Sequence, residues 1–187
     1  ELFDLTARTA LVTGGSRGLG LQIAEALGGA GARVMLTARS VEELQESANQ
    51  LASRGIECDF VPGDASEPAE IVRICGTTLQ RFGHLDILVN NAGASWGAPA
   101  EDYPLAAWDK VMNLNVRSVF LFSQYVAKHD MIDRRYGRII NVASMLSFQG
   151  GIRVPSYTAS KSGVVGLTRL MANEWAAHRI NVNAIAP

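Results

Sequence analysis

The chain reads as an α/β fold: a doubly wound parallel sheet with helices on both faces, in three α/β/α layers. Three observations predict it. Short apolar runs alternate with stretches of helical length from one end of the sequence to the other. A glycine-rich turn, Thr13-Gly-Gly-Ser-Arg-Gly-Leu-Gly20, joins the first run to the first helical stretch. The 187 residues are 48% apolar, enough for one domain with a sizeable core.

Taken in order, residues 9–13 form a first buried strand, and 19–30 a helix that stops at Gly31. Residues 33–37 are the second strand. Ser40-Val-Glu-Glu43 is a capping box that opens a helix running to about residue 54. A third strand spans 57–61. Ser66 caps the next helix, which runs to about 82 with Pro68 tolerated in its first turn. Residues 86–90 are the fourth strand, followed by two helices at 105–112 and 115–133. A fifth strand (138–142), a long helix (156–178) and a sixth strand (180–184) complete the chain. In such a sheet, ligands sit beyond the carboxyl ends of the strands.

Composition excludes several function classes. The net charge is -1 with no basic or acidic block, so neither nucleic acid nor an anionic membrane is expected as a partner. Cys58 and Cys75 match no metal-ligand spacing and read as reduced thiols of a cytoplasmic protein; no metal is expected. No apolar run approaches the roughly 20 residues of a membrane span. The start, Glu1-Leu2-Phe3-Asp4, lacks the basic and apolar regions of a signal peptide. No repeat, linker or second domain interrupts 1–187.

The glycine turn carries the first functional signal. Gly14, Gly18 and Gly20 let the backbone turn tightly and approach a pyrophosphate at a helix N-terminus, although their spacing differs from the general Rossmann fingerprint. Gly14, Ser16, Arg17, Gly18, Leu19 and Gly20 are therefore cofactor-binding candidates. Arg39 follows the second strand where a carboxylate would otherwise meet the ribose of NAD. With Arg17 it suits a 2′-phosphate, which favours NADP while leaving NAD possible. The alternative is that both arginines are solvated surface charges.

Tyr157 and Lys161 lie four apart and share a helix face. An ammonium held near a phenol favours the phenolate, which makes Tyr157 a candidate general acid/base. Ser144 stands thirteen residues earlier.

Together these residues resemble the short-chain dehydrogenase/reductase family, in its compact branch. The motifs are Thr13-Gly-x-x-x-Gly18-x-Gly20, Asn90-Asn-Ala-Gly93, Ser144 and Tyr157-x-x-x-Lys161, in order across nearly the whole chain. The resemblance implies a Rossmann-like domain and hydride transfer between a nicotinamide cofactor and an alcohol or ketone. It implies that Tyr157 exchanges the proton with the substrate oxygen, that Lys161 assists it and holds the nicotinamide ribose, and that Ser144 positions the substrate oxygen. Asn115 would hold a water linking Lys161 to solvent. Asp64 would contact the adenine, Asn90, Ala92 and Gly93 would floor the cofactor site, and Pro187 begins the family's Pro-Gly turn. Taken singly, Ser144 also reads as a strand-end serine and Asn115 as a helix N-cap.

The stretch from Ala143 to Lys161 is similar to 2-deoxy-gluconate dehydrogenases, and that from Asn91 to Ala100 to gluconate dehydrogenases, so the resemblance implies a sugar-acid substrate. In the loop after Ser144, Arg153 could hold a carboxylate and Gln149 a hydroxyl; Arg153 as a surface or ion-paired residue is the alternative. A 3-oxoacyl-thioester reductase shares the same motifs, with Trp96, Ala94 and Ala98 available to line an acyl path. A non-catalytic dinucleotide-binding protein would be expected to have lost a catalytic residue, and none is lost. Family members continue beyond the equivalent of Pro187, so the chain is expected to lack a C-terminal segment. They also pair through helices that match the apolar stripes Val116, Val119, Phe120 and Val164, Leu167, Met171, which implies a homotetramer or homodimer. Burial of those stripes against the sheet is the alternative.

Overall fold

The computed structural model describes residues 3–187, so the part of the N-terminal reading that rests on Glu1 and Leu2 lies outside the described residues. Six strands, β1 (Thr9–Thr13), β2 (Arg33–Ala38), β3 (Cys58–Pro62), β4 (Ile87–Asn90), β5 (Gly137–Val142) and β6 (Ile180–Ile185), form one parallel sheet in the order β3-β2-β1-β4-β5-β6. The order reverses between β1 and β4. A crevice must open there at the carboxyl ends of the strands, because the connections on either side lead to opposite faces.

Period-2 alternation divides the core into two. Leu11, Met35, Leu88, Ile139 and Val182 point to one face, where they meet Ile71 and Ile74 of α3 (Pro68–Phe82), Phe122 and Met171. Ala10, Val12, Val34, Leu36 and Val89 point to the other, against Ala24 of α1 (Gly18–Gly29) and Leu44 and Leu51 of α2 (Val41–Ala52).

Four local readings need correction. Ser66 does not cap α3. Its hydroxyl donates to Asp64 Oδ1 (2.7 Å), and Glu67 is the residue at the cap, without a side-chain bond. The capping box at Ser40 closes on one side: Ser40 Oγ accepts from the Glu43 N–H (3.2 Å), while the Glu43 carboxylate turns elsewhere. Residues 105–134 are one helical run instead of two helices. In it α4 (Leu105–Met112), α5 (Ser118–Val126) and α6 (Ile132–Arg134) are joined by wide π turns at Asn113–Arg117 and Ala127–Met131, so Asn115 is not an N-cap. A short α7 (Leu146–Gln149) follows β5, unforeseen because four residues carry no period. The last helix, α8 (Pro155–Trp175), gives way to a 3-10 turn at Ala176–His178.

At the end of the sheet away from the crevice, Asp86 is fully buried and accepts from Arg134 Nη1 (3.0 Å) and the Thr9 N–H (3.2 Å). Arg134 also bonds both carboxylate oxygens of Asp130 (2.8 Å each), and Asp130 accepts from the Leu85 N–H (2.9 Å). This network ties α6 to β1 and β4, and each charge in it has a partner, as burial requires. No helix among the described residues is long and apolar enough to cross a membrane.

Candidate active site

The crevice between β1 and β4 is latched by side chains from both. Thr13 Oγ1 accepts from the N–H groups of Asn91 and Ala92 (3.0 Å each) and donates to Val89 O (3.2 Å). Asn91 Nδ2 reaches back to Thr13 O (3.0 Å) and Gly14 O (3.2 Å). The turn is glycine by necessity at two points. Gly14 has φ +64°, and a Cβ there would lie 3.0 Å from Ala92 Cα. A Cβ on Gly20 would lie 2.1 Å from Gly14 O, an impossible distance. The result is a cleft of about 370 Å³ along the start of α1.

The cleft's side chains suit an elongated anionic ligand. Arg17, Arg39 and Lys110 line it, with Glu43 and Asp64 among them. Asp64 Oδ1 accepts from both the N–H (2.8 Å) and the hydroxyl (2.7 Å) of Ser66. Partial burial works to raise the Asp64 pKa, but the Ser66 bonds and the nearby charges of Arg39 and Lys110 outweigh it and hold the carboxyl below its ordinary value. Glycine backbone at the α1 entrance, cationic side chains in the lining and a fixed carboxylate acceptor make a donor and acceptor set that a dinucleotide fits.

Next along the sheet, β5, α8 and the first π turn bring four candidate residues together. Lys161 is buried, and its Nζ donates to Val142 O (2.6 Å), two residues before Ser144. Burial pushes its pKa down to about 8. The ammonium sits 5.7 Å from the centroid of the Tyr157 ring, one helical turn back along α8. Asn115 is fully buried: Nδ2 donates to Ala94 O (2.9 Å) and Ser160 Oγ (3.0 Å), while Oδ1 accepts from the Ala94 N–H (2.8 Å). A Cβ on Gly93 would lie 3.4 Å from Asn115 Oδ1 and 3.7 Å from Lys161 Nζ, so both groups border one small space. Ser144 Oγ accepts from the Leu146 N–H (3.2 Å), which leaves its own proton free to donate.

The loop after Ser144 is held from several sides. Met145 N–H donates to Pro187 O (3.1 Å), Ser162 Oγ to Ser147 O (3.1 Å), and Ala98 N–H to Arg153 O (2.9 Å). Arg153 adopts φ +64°, which turns its carbonyl toward Ala98, and its side chain is exposed, as is that of Gln149. Met145, Phe148 and Ile152 expose apolar surface on the same loop.

A family profile described as "short chain dehydrogenase" matches residues 8–187. The chain belongs to the short-chain dehydrogenase family. Over 185 residues, 99% of the chain, it is 49% identical to the 2-dehydro-3-deoxy-D-gluconate 5-dehydrogenase of Escherichia coli (strain K12), spanning 72% of that protein. It is 46% identical over its whole length to the protein of that name in Bacillus subtilis (strain 168), again spanning 72%. Among solved structures, actinorhodin polyketide ketoreductase with NADPH superposes with a TM-score of 0.94 at 38% identity, over 96% of this chain and 69% of that one.

As a short-chain dehydrogenase, the protein is an NAD(P)-dependent oxidoreductase of CH–OH groups, acting on a small molecule with a nicotinamide dinucleotide. Of the residues picked from sequence for the cofactor, Gly14, Ser16, Arg17, Arg39, Asp64, Ala92 and Gly93 line the cleft. Gly18, Leu19 and Gly20 form the helix entrance beside it, and Leu19 points partly outward. Asn90 turns the other way: its side chain is buried on Ser123 Oγ (3.1 Å) and Asn141 Oδ1 (2.9 Å). Asn91, its neighbour, has the cleft-facing role that sequence reasoning overlooked. Glu43, Ser66 and Lys110 were also missed as cleft residues. The dehydrogenase's Pro187 lies against Met145, next to Ser144.

Proposed function

We propose that the protein interconverts a hydroxyl and a ketone on a sugar acid of the 2-dehydro-3-deoxy-gluconate or gluconate type, with NADP preferred over NAD. The observation that carries the reading is the cluster of Tyr157, Lys161 and Asn115 beside the cleft, with Ser144 two residues beyond the carbonyl that holds Lys161. When bound, the nicotinamide dinucleotide supplies the hydride for reduction or takes it up in oxidation. Tyr157 gives its phenolic proton to the carbonyl oxygen, or takes one from the alcohol. Lys161, fixed on Val142 O, keeps positive charge 5.7 Å from the ring of that phenol. Ser144 uses its free proton to hold the substrate oxygen in place. Asn115 holds the Ala94 backbone against α8, and its Oδ1 keeps a second lone pair for a water in the space beside Gly93.

The NADP preference is supported by Arg17 and Arg39 in the cleft and by NADPH in the ketoreductase structure. The substrate class is supported by the names of the Escherichia coli and Bacillus subtilis relatives and by Arg153, whose exposed guanidinium suits a carboxylate. A cytoplasmic setting accords with the two free thiols. Pairing into a homodimer or homotetramer through the 105–134 run and α8 has Leu170, 53% exposed on α8, in its support, whereas Val119, Val164 and Met171 of the expected stripes are already buried within the chain.

A second reading, a thioester reductase, is favoured by the exposed Met145, Phe148 and Ile152, which suit an acyl chain better than a polyol. The deciding assay follows nicotinamide absorbance with 2-dehydro-3-deoxy-gluconate, 5-keto-gluconate and an acetoacetyl thioester, each with NADPH and NADH. Turnover of a keto sugar acid supports the proposal; turnover of the thioester alone overturns its substrate class. Arg39→Asp should shift kcat/KM toward NADH, and an unchanged ratio removes Arg39 from phosphate recognition.

A further inference from the structure

The half-closed capping box leaves the Glu43 carboxylate with another job. Its Oε2 accepts from Ser16 Oγ (2.9 Å) and its Oε1 from Arg17 Nη1 (3.3 Å). Both donors belong to the glycine turn, and both share the cleft wall with Arg39. A carboxylate and a phosphate recruit the same kinds of donor, so Glu43 holds the partners that a 2′-phosphate needs. We infer that Glu43 is a stand-in for the cofactor's 2′-phosphate and lowers the NADP-to-NAD ratio that the arginines raise. The inference rests on the reading of Arg17 and Arg39 as phosphate ligands.

The geometry makes the exchange inexpensive. The Glu43 side chain is 41% exposed and that of Arg17 is 78% exposed, so their ion pair is weak and water can replace either partner. The helix start does not depend on the carboxylate, because Ser40 caps α2 through the Glu43 backbone. The side chain can therefore swing into solvent while α2 stays capped. An incoming phosphate takes over Ser16 and Arg17 and repels the carboxylate it displaces. A 2′-hydroxyl carries no charge and can instead donate to Glu43 where it stands. Glu43 thus works against NADP and with NAD, opposing the two arginines.

The test is calorimetric binding of adenosine 2′,5′-bisphosphate and of AMP to the full chain and to Glu43→Gln, which keeps a hydrogen-bond acceptor for Ser16 but removes the charge. The bisphosphate should bind about fivefold tighter or better to the variant, with AMP unchanged or weaker, and the gain should shrink as salt is raised. Glu43→Ala should shift the ratio in the same direction. Unmoved or weakened bisphosphate binding in both variants overturns the inference alone, provided the unsubstituted protein prefers the bisphosphate to AMP and loses that preference in Arg39→Ala. If it has no such preference, the phosphate reading and this inference fall together.

Discussion

Lys161 is a buried cation whose proton affinity is lowered by its surroundings, and that makes a quantitative claim about stability. Its pKa falls from the ordinary 10.5 to about 8, and burial is the cause. Each pKa unit corresponds to about 1.4 kcal/mol, so the folded chain disfavours the charged lysine by about 3 kcal/mol relative to the neutral one. Below pH 8 the group is charged whether the chain is folded or not, and the full cost is present. Between 8 and 10.5 the folded chain has shed the proton that the unfolded chain still binds, so stability rises with pH. Above 10.5 both states are neutral and the cost is gone. The perturbation is Lys161→Met, made in a Tyr157→Phe background, which removes the neighbouring phenol from the comparison. Lys161→Met also removes the bond to Val142 O; its pH-independent part cancels in the comparison, and its weakening as the ammonium loses its proton is contained in the folded-state pKa. Urea unfolding followed by tryptophan fluorescence, at fixed protein concentration, gives the stability difference between the single and double variants. From about pH 7 to about pH 11 the lysine-containing protein should gain about 3 kcal/mol on its methionine counterpart. A difference that stays flat, or falls, refutes the claim that burial destabilises the charged form.

Other outcomes follow from the same geometry. Gly20→Ala should weaken NADPH binding about a hundredfold or more in a fluorescence titration, because its Cβ collides with Gly14 O and opens the turn. Tyr157→Phe should lower kcat about a thousandfold while NADPH affinity changes less than about twofold; near-normal turnover removes Tyr157 from proton transfer. Arg153→Ala should raise KM about tenfold for an acidic substrate and leave it unaltered for a neutral ketone. Asp130→Asn should cost about 3 kcal/mol in urea unfolding, since Arg134 loses the carboxylate that accepts two of its bonds and the buried Leu85 N–H loses a charged acceptor.

What could be read in advance, and what could not, divides along a physical line. The strands were legible because a parallel sheet buries both faces, and the apolar runs at Ala10–Val12, Val34–Leu36 and Ile87–Val89 supply residues to both cores at once. Tyr157 and Lys161 were legible because four residues is one helical turn, a local relation that no later packing can undo. The helix start read at Asn115, with its alternative role as an N-cap, does not hold, because Asn115 lies inside a π turn of one continuous run. A π turn inserts one residue without any compositional mark, and the apolar stripe continues through it. Asn90 and Asn91 look equivalent in a sequence, yet neighbouring residues of an extended segment face opposite ways, so one joins the core and the other latches the cleft. Glu43 is the sharpest case. Ser-x-x-Glu allows the carboxylate to fold back on its own helix, and local pattern alone predicts that it does. The competing donors, Ser16 and Arg17, lie 27 and 26 residues away, and only the packing of β2 beside β1 brings them within reach. A residue's type and period place it on an element, but its partner is chosen by the neighbour that tertiary structure supplies, and the chemistry of this site resides in those choices.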